Sequence, residues 1–108
     1  MILIIGGAYQ GKAEYASSHF APQYKIIDKY HLTVRKQMEC GQDPFVEAKK
    51  LLEEDNLVII SDEIGCGLVP VEASLREYRE IAGRINCYLA SEAEQVIRVI
   101  CGIGQRIK

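Results

Sequence analysis

The stretch GGAYQGKA, from Gly6 to Ala13, meets the pattern G-x-x-x-x-G-K-S/T at Gly6, Gly11 and Lys12. It departs from that pattern at Ala13, where a hydroxyl is expected. Residue types at this spacing do phosphate chemistry. Glycines let the backbone curl until several N–H groups face one anion, and a helix that starts at the lysine adds its partial positive charge. The lysine ammonium then reaches the outer phosphates as a point charge. The hydroxyl that normally follows ligates Mg2+, and Ala13 has none to offer. Mg2+ keeps several waters in most sites, so phosphates, water and a carboxylate can still hold it.

Three carboxylates fall where such chemistry needs them. Asp28 closes the run YKIID, and Asp62 with Glu63 follows the run LVIIS. Acids at these strand ends organise Mg2+ or accept a proton from a substrate hydroxyl. Each alone is equally well a turn, capping or solvated loop residue. Their convergence on one phosphate loop is what makes a site. His19 reads as a surface residue of the first helix. His31 follows Asp28 closely and reads as a structural histidine near the pocket rather than a nucleophile. Arg76, Arg79 and Arg84 read as a solvated helix face pairing with Glu72, Glu77 and Glu80.

The elements that must position these groups follow from the apolar pattern. Ile2 to Ile5 is a continuous β-branched run closed by glycines, the mark of a strand buried on both faces. KAEYASSHF is a helix with Ala13, Ala16 and Phe20 on its apolar side, stopped by Pro22. Tyr24 to Asp28 is a second strand, and HLTVRKQME a helix ending near Gly41. Asp43 before Pro44 caps the next helix, which turns Val46, Leu51 and Leu52 inward. Leu57 to Ser61 is a third strand. After the loop DEIGCGLVP, Ser74 and Glu77 form a capping box. The helix that follows places Leu75, Tyr78, Ala82, Ile85 and Leu89 on one face. Gln95 to Ile100 is a fourth strand, and CGIGQRIK a tail. Strands alternating with helices predict an α/β fold with a small, mainly parallel sheet covered on both sides. In such a sheet the first loop lies at the carboxyl edge, where ligands bind.

The chain of 108 residues is expected to form a single domain, 1–108. Its net charge of −2 gives no basic surface for nucleic acid or anionic membrane. MILII is too short for a targeting core or a membrane span, so the expected place of action is the cytoplasm. The four cysteines form no C-x-x-C pair and are expected to be reduced, small packing residues.

The second half, SDEIGCGLVPVEASLREYREIAGRINCYLASEAEQVIRVICGIGQRIK, resembles the adenosylcobinamide kinase/adenosylcobinamide-phosphate guanylyltransferase family of cobalamin biosynthesis. DEIGCGLVP is similar to that family's E-V/I-G-x-G-I/L-V-P, and YREIAGRIN to its F/Y-R-x-x-x-G-R-x-N helix. ILIIGGAYQGK is similar to its first strand and GGARSGKS loop. The resemblance implies a P-loop NTPase-like, three-layer α/β/α fold and binding of ATP or GTP with Mg2+. It also implies phosphorylation of the adenosylcobinamide hydroxyl, GMP transfer through a guanylylated histidine, and assembly as a homotrimer. Carried over residue by residue, the nucleotide-binding set is Gly6, Gly7, Ala8, Tyr9, Gln10, Gly11, Lys12 and Ala13. Lys12, Asp28 and Glu63 take the catalytic roles, with Asp28 and Glu63 at the metal. Glu63, Gly65, Gly67, Val69 and Pro70 match the family loop, and Arg79, Gly83, Arg84 and Asn86 its helix.

This chain departs from the pattern at Ala13 and across Ala8 to Gln10. It is also shorter than the pattern between the first helix and YKIID, where the family carries its histidine nucleophile. His31 lies beyond that gap, so the nucleophile is not transferred to it. Three expectations remain: a shortened cobinamide kinase, a catalytically degenerate relative that holds a nucleotide or corrinoid without turnover, or a structural relic that oligomerises and binds nothing.

Overall fold

The structure, a computed structural model, describes residues 1–64 and 72–108. Five strands form one sheet in the order β2-β3-β1-β4-β5. The central strand is β1 (Ile2–Gly6), flanked by β3 (Leu57–Asp62) and β4 (Gln95–Ile100), both parallel to it. Beyond β3 lies β2 (Lys25–Ile27), also parallel. At the far edge β5 (Ile103–Arg106) runs antiparallel to β4. The run read as a tail therefore forms a hairpin with β4. Cys101 and Gly102, both at positive φ (52° and 77°), make the two-residue turn that a right-twisted hairpin favours.

Strand alternation sorts the core into two layers. Ile2, Ile4, Val58, Ile60, Ile97 and Val99 pack with Ala16 of α1 (Lys12–Phe20). Leu3, Leu57, Ile59 and Val96 face the other way. They pack against Tyr30 and Val34 of α2 (Tyr30–Glu39), Ala48 of α3 (Pro44–Leu51), and Ala82, Ile85 and Leu89 of α4 (Ala73–Glu92). Because the side-chain period is two, a slip of one residue would exchange these layers, and burial on both faces forbids it. The result is the three-layer, mainly parallel α/β arrangement expected of a P-loop NTPase-like fold. Among the described residues no helix is long and apolar enough to cross a membrane.

Local signals held in most places and failed in a few. Asp43 Oδ1 accepts the Phe45 N–H at 2.9 Å, so the Asp-Pro helix start forms as expected. Val46, however, is 47% exposed. Pro44 and Ala48, four apart, are the buried residues of this short helix, and Leu51 and Leu52 pack partly buried against the core as expected. Ser74 does not cap α4: the helix begins at Ala73, its N-cap is Glu72, and no side chain caps it. Nor are the described cysteines packing residues, since Cys40, Cys87 and Cys101 are exposed free thiols. They lie beyond the ends of α2 and β4 and on the outer side of α4, away from both core layers. Cys66 lies outside the described residues, as do Gly65, Gly67, Val69 and Pro70 of the family loop.

Candidate functional site

Strand β1 delivers Gly6 to the carboxyl edge of the sheet, in register with Asp62 at the end of β3. A Cβ on Gly6 would lie 2.5 Å from the Val99 carbonyl oxygen, so only glycine lets the chain leave the sheet here. The loop then turns through two left-handed residues, Tyr9 (φ 60°) and Gly11 (φ 86°), and enters α1 directly. Gly11 is the N-cap and no side chain caps the helix. The first-turn N–H groups are thus left for an anion.

The Lys12 side chain is 8% exposed and folds back over this loop. Its Nζ donates to the Gly7 carbonyl at 2.6 Å and lies 2.8 Å from Asp62 Oδ1. Asp62 is in turn tied to His31. The Asp62 backbone N–H donates to His31 Nδ1 at 3.1 Å, and His31 Nε2 lies 3.4 Å from Asp62 Oδ2. With Nδ1 accepting, the ring proton belongs on Nε2, facing the carboxylate. Burial holds the His31 pKa below its ordinary 6.5; the nearby Asp62 charge opposes that shift and the Lys12 charge adds to it. His31 is therefore the neutral member of the cluster at neutral pH.

Helix α4 supports this arrangement from behind. The Tyr78 hydroxyl donates to the His31 carbonyl at 2.8 Å, and Asn86 Nδ2 donates to the Asp62 carbonyl at 3.3 Å. Burial raises the Tyr78 pKa, which keeps the hydroxyl a donor, and the Arg35 guanidinium stands 5.6 Å from the ring centroid. Of the motif YREIAGRIN, then, Tyr78 and Asn86 reach the two residues that face Lys12. Arg84 instead pairs with Glu80 at 2.7 Å on the outer side.

These groups surround a cleft of about 410 Å3, lined by residues 8–14, Asp28, Lys29, His31, Leu32 and Asp62. Asp28 lies just past β2, where its Oδ1 accepts the Lys29 N–H at 2.8 Å. The two acids after β3 part company. Asp62 turns to Lys12, whereas the Glu63 carboxylate pairs with Arg98 of β4 at 3.1 Å and does not line the cleft. Consecutive residues of an extended chain point to opposite sides, so only one of them can face the loop. The carboxylate that meets Lys12 is that of Asp62, the residue opposite Gly6 in the sheet register. His19 is exposed and stacks on Tyr15, as a surface histidine should. Leu32, Lys29 and Glu14 also line the cleft, and nothing in their spacing along the sequence marks them. A second groove, about 470 Å3, runs between α2, α3 and α4 past Met38, Phe45 and Tyr78, but no phosphate-type loop enters it.

A family model described as cobinamide kinase / cobinamide phosphate guanyltransferase matches residues 25–107. The chain belongs to this family. The matched stretch contains β2 to β5 and the acids Asp28 and Asp62; it begins after the phosphate-type loop, whose reading rests on its sequence and geometry. Two curated relatives carry the name bifunctional adenosylcobalamin biosynthesis protein CobU, one from Salmonella typhimurium and one from Escherichia coli. Each is 44% identical over 52 residues, which is 48% of this chain and 29% of the relative. The aligned part thus spans less than a third of either relative's length.

Proposed function

We propose that this family member binds ATP or GTP at residues 6–13 and transfers the terminal phosphoryl group to the hydroxyl of adenosylcobinamide, as a step of cobalamin biosynthesis in the cytoplasm. The observation that carries the reading is the Lys12–Asp62 pair, with an ammonium and a carboxylate 2.8 Å apart at the mouth of an uncapped helix and a left-handed loop. Family membership supplies the acceptor.

The donor set fits Mg2+ bound mainly through phosphate and water. Asp62 and Asp28 line the cleft, Ala13 offers no oxygen, and among the described residues no cluster of three or more metal-ligating side chains could hold a metal ion by itself. Mg2+ bound with the nucleotide would supply charge neutralisation at the outer phosphates. Lys12 exchanges the Gly7 carbonyl for a phosphate oxygen, and the loop amides orient the triphosphate. Asp62 and Asp28 are the residues that would hold the ion, and Asp28 receives the proton of the acceptor hydroxyl. Catalysis is then positioning and charge stabilisation.

Guanylyl transfer is left out of the proposal. His31 commits both ring nitrogens to Asp62. His19 sits at the far end of α1, about 10 Å along the axis from Lys12. The resemblance extends the proposal to a homotrimer, for which Ile100, Ile103 and Ile107, exposed at the β4–β5 edge, supply apolar surface.

Calorimetric titration with ATP and with GTP, each with and without Mg2+, tests the binding. Transfer of labelled γ-phosphate to adenosylcobinamide tests the reaction. Metal-dependent binding that disappears in Lys12→Ala, together with labelled product, supports the proposal. Absence of binding to either nucleotide refutes it.

A further inference from the structure

The β4–β5 hairpin does more than close the sheet. Both N–H groups of its turn end on one residue of the phosphate-type loop. The Cys101 N–H donates to Gln10 Oε1 at 2.8 Å, and the Gly102 N–H donates to the Gln10 main-chain carbonyl, also at 2.8 Å. The same hairpin backs the loop at two further points. A Cβ at Gly11 would stand 3.3 Å from Gly102 Cα, and one at Gly6 would strike the Val99 carbonyl oxygen. Residues 91 positions apart in the chain are thus joined by hydrogen bonds and close backbone contact.

The loop needs such support. Gln10 stands between Tyr9 and Gly11, both left-handed, and Tyr9 is fully exposed, so its side chain packs on nothing that could hold the strained turn. A non-glycine residue at positive φ persists only where its surroundings over-determine it. Here those surroundings are the hairpin turn.

We propose that Gln10 is a positioning residue, clamping the loop to the β4–β5 turn so that the anion-binding amides are arranged before a nucleotide arrives. This rests on the nucleotide-binding reading of the same loop. Pre-arrangement lowers the ordering cost of binding and shows as tighter affinity with no added contact to the ligand. Gln10 Oε1 is committed to Cys101, so its contribution runs through the shape of the loop.

The test needs two measurements. First, amide hydrogen exchange on the wild-type protein follows Cys101 and Gly102 with no nucleotide and with saturating ATP. The clamp predicts that both amides are already protected without ATP. Protection that appears only with ATP overturns it. Second, Gln10→Met removes the acceptor at nearly the same side-chain volume. It should open the Cys101 amide, leave the thermal midpoint nearly unchanged, and weaken ATP binding about fivefold to tenfold, the equivalent of one lost hydrogen bond. Gln10→Glu retains an acceptor and should restore protection at Cys101. An open Cys101 amide with affinity within twofold of wild type overturns the proposal and leaves the nucleotide reading intact. Failure of the wild type itself to bind ATP or GTP overturns both.

Discussion

The Lys12 ammonium lies 2.8 Å from Asp62 Oδ1, with Asp62 Oδ2 on its other side facing His31 Nε2. Without ligand, then, the cation that should meet a phosphate is already neutralised, and an incoming anion competes with a carboxylate for it. Lys12 is almost fully buried while Asp62 is 22% exposed, so the pair is only partly screened. Removing one partner leaves the other desolvated and uncompensated. Lys12→Ala should lower folding stability by about 1–3 kcal/mol, read from urea midpoints, and abolish nucleotide binding by calorimetry. Asp62→Asn should have the opposite signature at the ligand. Nucleotide binding without Mg2+ should tighten, because Lys12 is released, while the gain on adding Mg2+ should shrink. Unchanged Mg2+ dependence in Asp62→Asn would remove Asp62 from the proposed metal set.

Ala13 sits at the second position of α1, where the resembling loop carries a hydroxyl. Ala13→Ser should raise Mg2+-dependent affinity for the triphosphate and raise the rate of phosphoryl transfer, with binding in EDTA unaffected. Comparing titrations in Mg2+ and in EDTA isolates the effect. An equal gain in both media would mean that serine acts as a phosphate ligand and not through the metal.

Burial lowers the His31 pKa, so the folded protein binds this proton less tightly than the unfolded chain does. The contribution of neutral His31 to stability is therefore complete above its ordinary value of 6.5 and is lost as pH falls through the lower, folded value. Urea midpoints should decline on acidification below pH 6.5, and the decline should flatten in His31→Gln. Proton NMR of the imidazole should give a midpoint below 6.5, whereas a midpoint above it would mean that the Asp62 charge outweighs burial.

Leu89 is fully buried between α4 and the sheet, whereas Val46 is half exposed on α3. Leu89→Ala should cost about 2–5 kcal/mol, through lost transfer energy and a residual cavity. Val46→Ala should stay within about 0.5 kcal/mol. Chemical denaturation of the two variants checks the observed orientation of α3 against the inward Val46 that residue type alone suggests.

Much of this was legible in the chain itself because it is local. A β-branched run ended by glycines makes a buried strand wherever it sits, and Asp-Pro starts a helix by its own hydrogen bond and fixed φ. The spacing of Gly6, Gly11 and Lys12 marked the loop, and the motifs of α4 marked the family. The local pattern was weakest where the choice was between neighbours. Val46 and Pro44 both stand at plausible inward positions, and only the folded helix shows Pro44 buried and Val46 exposed. Ser74 looks like a cap by type, yet the helix starts before it. Asp62 and Glu63 are adjacent acids, and the register of β3 on β1 decides which one meets Lys12.

The sequence by itself determined the alternation of strands and helices, the glycine-lysine loop and the acids at the strand ends. Those follow from residue period, backbone freedom and charge within a few positions. Only the tertiary structure decided that Asp62 holds Lys12, that Glu63 goes to Arg98, that Asn86 and Tyr78 brace the cluster, and that a hairpin from the far end of the chain grips Gln10. Each is a contact between segments far apart in the chain, fixed by sheet order and register, and no local pattern encodes such distances.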